Sequence, residues 1–129
     1  PSIQSALLAA SPQDSHHDEI VVQVQSWIHS NYHQEVRNED LAKLANMSIR
    51  NLTRRFKKAT QTSPSAYLRN TRLEEARALL RDSNATIIEI GDLVGYRDAS
   101  HFIDAFKTHT SSTPGEYRRL VRAKVFSAV

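Results

Sequence analysis

Arg50, Thr53, Arg54 and Lys57 are spaced so that, at about 100° of rotation per residue, they share one helix face bearing two guanidiniums, a hydroxyl and an ammonium. Ile49, Leu52, Phe56 and Ala59 fall in a narrow apolar stripe on the opposite face, which is therefore the side to be buried. A guanidinium presents parallel N–H donors that fit O6 and N7 of guanine, whereas the Lys57 ammonium is better suited to a phosphate oxygen. Asn51, Arg55 and Lys58 lie on the flanks, where backbone contact or solvation is the expected role.

The same register recurs fifty residues later, with chemically different groups. Ala99, Phe102 and Phe106 make the apolar stripe, and Ser100, Ile103, Asp104 and Lys107 face outward. Ile103 suits a thymine methyl, and Ser100 and His101 can hydrogen-bond to bases or phosphates. Asp104 can accept from a cytosine amino group, repel phosphates, or only solvate the helix.

No arrangement suited to catalysis accompanies these faces. His29 and His33 have the i, i+4 spacing of a helical metal pair, but no HExxH pattern or third ligand lies nearby, so they read as surface or partly buried histidines. Nothing resembles a phosphate-binding loop, a nucleophile elbow or a carboxylate pair set for acid–base work. No enzyme, cofactor or metal site is expected. The chain has no cysteine, no signal peptide and no apolar run long enough to span a bilayer, which predicts a reducing, cytoplasmic setting without membrane contact.

Seventeen basic against fourteen acidic residues give a net charge of only +3, but the charge is segregated. Arg50, Arg54, Arg55, Lys57, Lys58, Arg69 and Arg72 fall in a stretch without an acid, and Arg118, Arg119, Arg122 and Lys124 make a second basic cluster. Acids gather from Asp14 to Asp40 and from Glu74 to Asp92. The segregation predicts a positive face suited to a polyanion, or a solvated helix surface.

The elements that must position these faces form a duplicated module. Ser48, Leu52, Phe56, Lys57, Pro64 and Tyr67 match Asp98, Phe102, Phe106, Lys107, Pro114 and Tyr117 at an offset of fifty. Leu41 and Leu44 match Ile90 and Leu93 at forty-nine. The predicted fold is all-α, with seven helices in two homeodomain-like helix-turn-helix subdomains joined by a long central helix. Helix 1 starts near Asp18–Glu19 and carries Ile20, Val21, Val24, Trp27 and Ile28; Asn38 is expected to cap helix 2, and Ser48 to cap helix 3. Ser63–Pro64 opens helix 4, Thr86 with Glu89 makes a capping box for helix 5, Asp98 caps helix 6, and Thr113–Glu116 boxes helix 7. Asn46–Met47 and Gly95 supply the turns inside the two motifs. Leu41, Leu44, Leu52, Phe56, Leu93, Phe102, Phe106 and Trp27 are expected to be core.

The expected organisation is a linker over residues 1–17, including His16–His17, a first subdomain over 18–82 ending in the linker helix at about 63–82, a second over 83–124, and a tail at 125–129. The missing N-terminal Met predicts a fragment. A central helix of about 18 residues is about 27 Å long, enough to hold recognition helices at about 48–59 and 98–109 near one DNA turn, about 34 Å, apart.

Several motifs together resemble the DNA-binding region of AraC/XylS-family bacterial transcription regulators: Leu41 to Ala45, Ser48 to Lys57, Ser63 to Tyr67, Arg72 to Leu80, Gly95–Tyr96 and Phe102 to Arg118. The resemblance covers Asp18 to Arg119. It implies sequence-specific double-stranded DNA binding in successive major-groove segments, through Arg50, Thr53 and Arg54, and through Ser100, Ile103 and Asp104. It implies an operator and RNA polymerase as partners, a monomeric fragment, and dimerisation of the full-length protein through a missing N-terminal domain. The segment His17 to Ile28 further resembles the subgroup with an upstream amidotransferase-like (PfpI-like) sensor. Gly91 stands where the family usually has alanine and is expected to loosen helix 5, and Asp104 stands where arginine is common. A helical ligand-sensing or protein-interaction module, and a sequence-independent DNA binder, are the competing readings. Competition with unrelated duplex separates them.

Asp104→Arg tests the second reader. Removing a carboxylate that faces phosphates should raise affinity for nearly every sequence. Loss of about 1 to 3 kcal/mol on the native site, with a changed base preference, would instead show that Asp104 reads cytosine.

Overall fold

The computed structural model describes residues 18–128, and side chains within 18–124. The expectations for residues 1–17 lie outside the described residues. Among the described residues there are seven helices and no strand: α1 (Glu19–Asn31), α2 (Asn38–Ala45), α3 (Ile49–Thr60), α4 (Pro64–Asp82), α5 (Ile87–Leu93), α6 (Ala99–Thr110) and α7 (Pro114–Ala128). They fall into two compact units, one of the residues up to Ser30 with Val36–Tyr67, the other of Asn31–Glu35 with Leu68 onward.

In the first unit α1 begins where the Asp18 carboxylate accepts from the backbone N–H groups of Ile20 and Val21, at 3.0 and 3.4 Å. Val21, Val24 and Ile28 are buried on α1, Leu41, Ala42 and Ala45 on α2, and Leu52, Phe56 and Ala59 on α3. Burying Leu52 and Phe56 contributes about 1.5 to 3 kcal/mol each, which a twelve-residue helix needs because it is marginal alone. The Ser48 hydroxyl accepts from Asn51 N at 3.1 Å and caps α3 as its sequence predicts.

Helix α2 starts differently from expectation. Arg37, not Asn38, occupies the cap position, and the Asp40 carboxylate reaches back to accept from Arg37 N at 2.9 Å. Asn38 is the first helical residue, and its side-chain oxygen accepts from Ser65 Oγ at 3.1 Å.

In the second unit Leu73, Ala76 and Leu80 of α4, Ile90, Val94, Tyr96, and Phe102 and Phe106 of α6 form one buried cluster, with Tyr117 of α7 at its edge. The Thr86–Glu89 and Thr113–Glu116 boxes are both closed, each with two hydrogen bonds between 2.8 and 3.2 Å. Accepting first from the backbone N–H of Thr86 and of Thr113 lowers the pKa of Glu89 and Glu116. Their capping is complete above the ordinary Glu value of 4.5 and is lost as pH falls through the lowered values.

The duplication extends to details of the helix ends. Gln61 and Ser111 both take positive φ, 67° and 71°, after the last residues of α3 and α6. Thr60 Oγ1 lies 2.8 Å from Phe56 O and 3.0 Å from Thr62 O, and Thr110 repeats this with Phe106 O and Ser112 O at 2.6 and 3.1 Å. Phe56 meets Tyr67 edge-on at 5.5 Å, and Phe106 meets Tyr117 at 5.6 Å.

Three apolar expectations fail. Leu44 and Leu93, equivalent in the repeat, are 44% and 52% exposed, and Ile49 is 39% exposed. Each lies at or next to a turn, where a short helix has its buried face filled by the neighbouring residues. Trp27 is half-buried.

Gly91 is also not the loosening element it was expected to be. It is buried in α5, and a Cβ built there would lie 2.9, 3.1 and 3.2 Å from Cδ2, Cγ and Cβ of Phe102. The missing side chain is what lets the Phe102 ring close onto α5. Alanine gains about 1 kcal/mol of helix propensity, while crowding a filled core costs about 1 to 3 kcal/mol. Gly91→Ala is therefore expected to lower the Tm. A raised Tm in thermal unfolding would show that the ring yields at little cost.

Candidate nucleic-acid interface

The first candidate face is built on α3 by burial of its apolar stripe, which fixes the rotation of the helix. Arg50, Asn51, Arg54 and Lys57 are exposed, as predicted. Arg54 is oriented by its own helix, its Nη2 donating to Asn51 Oδ1 at 2.6 Å. Asn51 thus positions an arginine as well as lying on the flank. Thr53 is half-buried, and its hydroxyl donates to Ile49 O at 2.8 Å, so toward an external group it offers acceptor lone pairs and a methyl.

On α6, Ser100, His101, Asp104 and Lys107 are exposed. The Asp98 carboxylate accepts from Ser100 N at 2.8 Å, leaving the Ser100 hydroxyl outside the cap. His101 stands edge-on to the buried ring of Tyr96, centroids 5.3 Å apart. Ile103 departs from its expected outward position. It is half-buried against the core cluster of the second unit, so only part of its side chain is available to a thymine methyl.

Much of the basic charge serves the fold instead of a partner. Arg55 pairs bidentately with Asp18, at 3.0 and 2.9 Å. Arg72 donates from Nε and Nη2 to the carbonyls of Tyr32 and Gln34, both at 2.8 Å, and stacks on Tyr96; burial lowers its pKa. Arg118 donates to Leu80 O and Ser83 O at 3.0 and 3.1 Å, and Arg122 to Ser83 O and to Asn84 Oδ1. Arg69 is half-buried. Arg72 and Arg122 stand fifty residues apart and each satisfies carbonyls left after a helix, α1 and α4. Sequence reasoning missed this pairing although the repeat offset contained it.

What remains as free cationic surface on α3 is Arg50, Arg54, Lys57 and Lys58, none of them ion-paired with a described residue. A second arginine that sequence reasoning missed is Arg97, just before the α6 cap, whose Nη2 lies 2.6 Å from Glu35 Oε1. His29, weighed as half of a metal pair, instead has Nε2 2.7 Å from the Tyr67 hydroxyl. Among the described residues no three His, Asp or Glu side chains converge on a common point, and no helix is long and apolar enough to cross a membrane.

A family described as a helix-turn-helix domain matches residues 41–120, which span both turns and both outward faces. The chain belongs to the AraC/XylS family. It comprises the helix-turn-helix DNA-binding domain of that family. Among its relatives, the transcriptional activator NphR of Rhodococcus sp is 34% identical over 119 residues, covering 92% of this chain and 35% of the relative. The HTH-type transcriptional activator RhaS of Enterobacter sp. (strain 638) is 33% identical over 97 residues, 75% of this chain and 35% of its own. The chain therefore spans about a third of the length of these curated relatives. Of solved structures, the C-terminal domain of AraT, a response regulator from Geobacillus stearothermophilus, superposes with a TM-score of 0.77 at 31% identity, covering 80% of this chain and 86% of that one. The DNA-binding domain of the global transcriptional factor AdpA, solved in complex with a target DNA, gives a TM-score of 0.77 at 30% identity, with 81% and 94% covered.

Within this AraC/XylS domain the α3 face generates a direct test. Arg50→Ala and Arg54→Ala should each weaken binding to the preferred duplex by about 1 to 3 kcal/mol and relax base preference. Lys57→Ala should weaken all sequences alike and flatten the salt dependence by about one unit. Equal losses on preferred and random duplex for the arginine variants would make them phosphate contacts.

Proposed function

We propose that this domain reads double-stranded DNA sequence-specifically, with α3 and α6 as two recognition helices that enter successive major-groove segments. The observation that carries this reading is the α3 face: Arg50, Arg54 and Lys57 exposed together, without ion pairs to described residues, on the helix that a buried Leu52–Phe56 stripe holds in one rotation. Guanidiniums on a rigid helix are matched to guanine edges in the major groove. Base readout falls to Arg50, Arg54, Thr53, Ser100 and the exposed part of Ile103, with His101 available to a base or a phosphate. Lys57 and Lys107 take the phosphate backbone, Asn51 orients Arg54, and Asp104 sits beside phosphates.

The AdpA domain, superposing over most of both chains, was solved with a target DNA, which supports the same use of this fold here. By the same reading the whole protein is a bacterial, cytoplasmic transcription regulator that engages RNA polymerase and is not an enzyme. Its relatives named as transcriptional activators, which extend well beyond the matched segment, support this. This segment then acts as a monomer, with dimerisation supplied through a further domain. An upstream amidotransferase-like sensor fits the same scheme.

Selection from a random duplex library tests the reading. The expected result is one asymmetric motif in two parts, protected over about two turns of DNA. Binding without an enriched motif would favour the sequence-independent binder, protection of a single half-turn would leave one reader, and no binding at all would favour an interaction module.

A further inference from the structure

Arg97 lies between Tyr96, buried in the core of the second unit, and Asp98, the cap of α6. Its side chain is 82% exposed and donates to Glu35, 62 positions away in sequence, whose side chain is 47% exposed. The backbone beside that carboxylate is fixed independently of Arg97. Arg72 grips the Tyr32 and Gln34 carbonyls at 2.8 Å each, and Gly95, at φ 105°, comes so close to Tyr32 O that any Cβ there would collide with it. A carboxylate on an anchored turn is thus set against an arginine that is otherwise in solvent.

The charge balance of α6 shows what such an arginine can do. Whereas α3 carries Arg50, Arg54, Lys57 and Lys58 in the open, α6 has Lys107 as its one lysine or arginine, with Asp104 beside it and Asp98 at its cap. Placing that helix against phosphates needs a further fixed cation nearby. Arg97, one residue before the cap, is in position to supply it, and a guanidinium meets a phosphodiester with paired, charge-assisted N–H donors. An exposed Arg–Glu pair is weak and screened by salt, whereas each phosphate contact also releases condensed counterions. Arg97 can therefore exchange one anion for the other.

We propose that Arg97 is a phosphodiester-binding residue of the second module and that Glu35 is its intramolecular competitor, an acid that holds the guanidinium until DNA displaces it. The proposal rests on the reading that α6 faces DNA. Glu35 then lowers affinity for all duplexes alike, because every phosphodiester that Arg97 meets has to displace it first.

The test measures binding of the 129-residue chain to preferred and random duplex across salt concentrations, for Arg97→Gln, Glu35→Gln, the double variant, and Lys107→Ala as a reporter of α6. Arg97→Gln should weaken both duplexes by about three- to tenfold and reduce the slope of log K against log salt by about 0.9. Glu35→Gln should tighten both by about two- to fivefold, and this gain should vanish in the Arg97→Gln background. Persistence of the gain without Arg97 would overturn the proposal, since Glu35 would then act as a general repulsive charge. An unchanged salt slope in Arg97→Gln, with Lys107→Ala still weakening binding, would overturn it while leaving α6 on the DNA. Loss of no affinity in either variant would remove α6 from the interface and overturn both readings.

Discussion

Burial of one stripe on each recognition helix is the constraint from which the rest follows. Neither α3 nor α6, at twelve residues each, is long enough to be stable in water by itself, so each is helical because Leu52, Phe56 and Ala59, or Phe102 and Phe106, leave water. Once those side chains are inside, the azimuth of each helix is set to within a fraction of a turn, and the outward residues have no freedom to choose their direction. The caps at Ser48 and Asp98 then fix where each helix starts, and Gln61 and Ser111 where each stops. Rigid presentation of this kind is what base reading demands, because a bidentate guanidinium loses its preference when its backbone can rock.

The arginines divide into two working groups that net charge does not distinguish. Arg55, Arg72, Arg118 and Arg122 spend their donors on Asp18 and on carbonyls at or just beyond helix ends. Arg50, Arg54 and Arg97 keep their guanidiniums at the surface. Arginine suits the first role because its planar fork reaches two acceptors at once, as Arg72 does with Tyr32 and Gln34. The positive face is consequently narrower than the sequence suggests, and it is centred on α3.

The parts of this architecture legible in the sequence were those with short-range signatures. Ser48, Thr86–Glu89, Asp98 and Thr113–Glu116 announce helix starts because their partners lie within three residues. The stripes on α3 and α6 announce buried faces through periodicity, which in turn placed Arg50, Arg54, Lys57, Ser100, Asp104 and Lys107 outside. Part of what was not legible depends on residues brought together across long stretches of chain. Only Asp40, three residues on, marks Arg37 as a cap, since Arg37 contributes just its backbone, and nothing local ties Arg97 to Glu35. Gly91 looked like a weak helix residue because its reason is the ring of Phe102, on another helix. Ile103 was placed by an ideal wheel, but a medium-sized apolar side chain at the rim of a core leans inward. Leu44 and Leu93 were misplaced together, the two copies of the module sharing one feature that periodicity over so short a helix cannot resolve.

The turn at Tyr32 to Glu35 gives the duplication an asymmetry. By sequence it follows α1, yet it belongs to the same compact unit as Leu68 onward, so that unit is assembled from two separated pieces of chain with α2 and α3 intervening. Cutting at Leu68 would strip Arg72 of its two carbonyl acceptors and open the face that Gly95 was shaped to meet. The second copy therefore cannot be lifted out as a free-standing unit, although its helices repeat the first almost position for position. Any transplant of these helices into another chain would have to carry that turn along as a separate stretch of sequence.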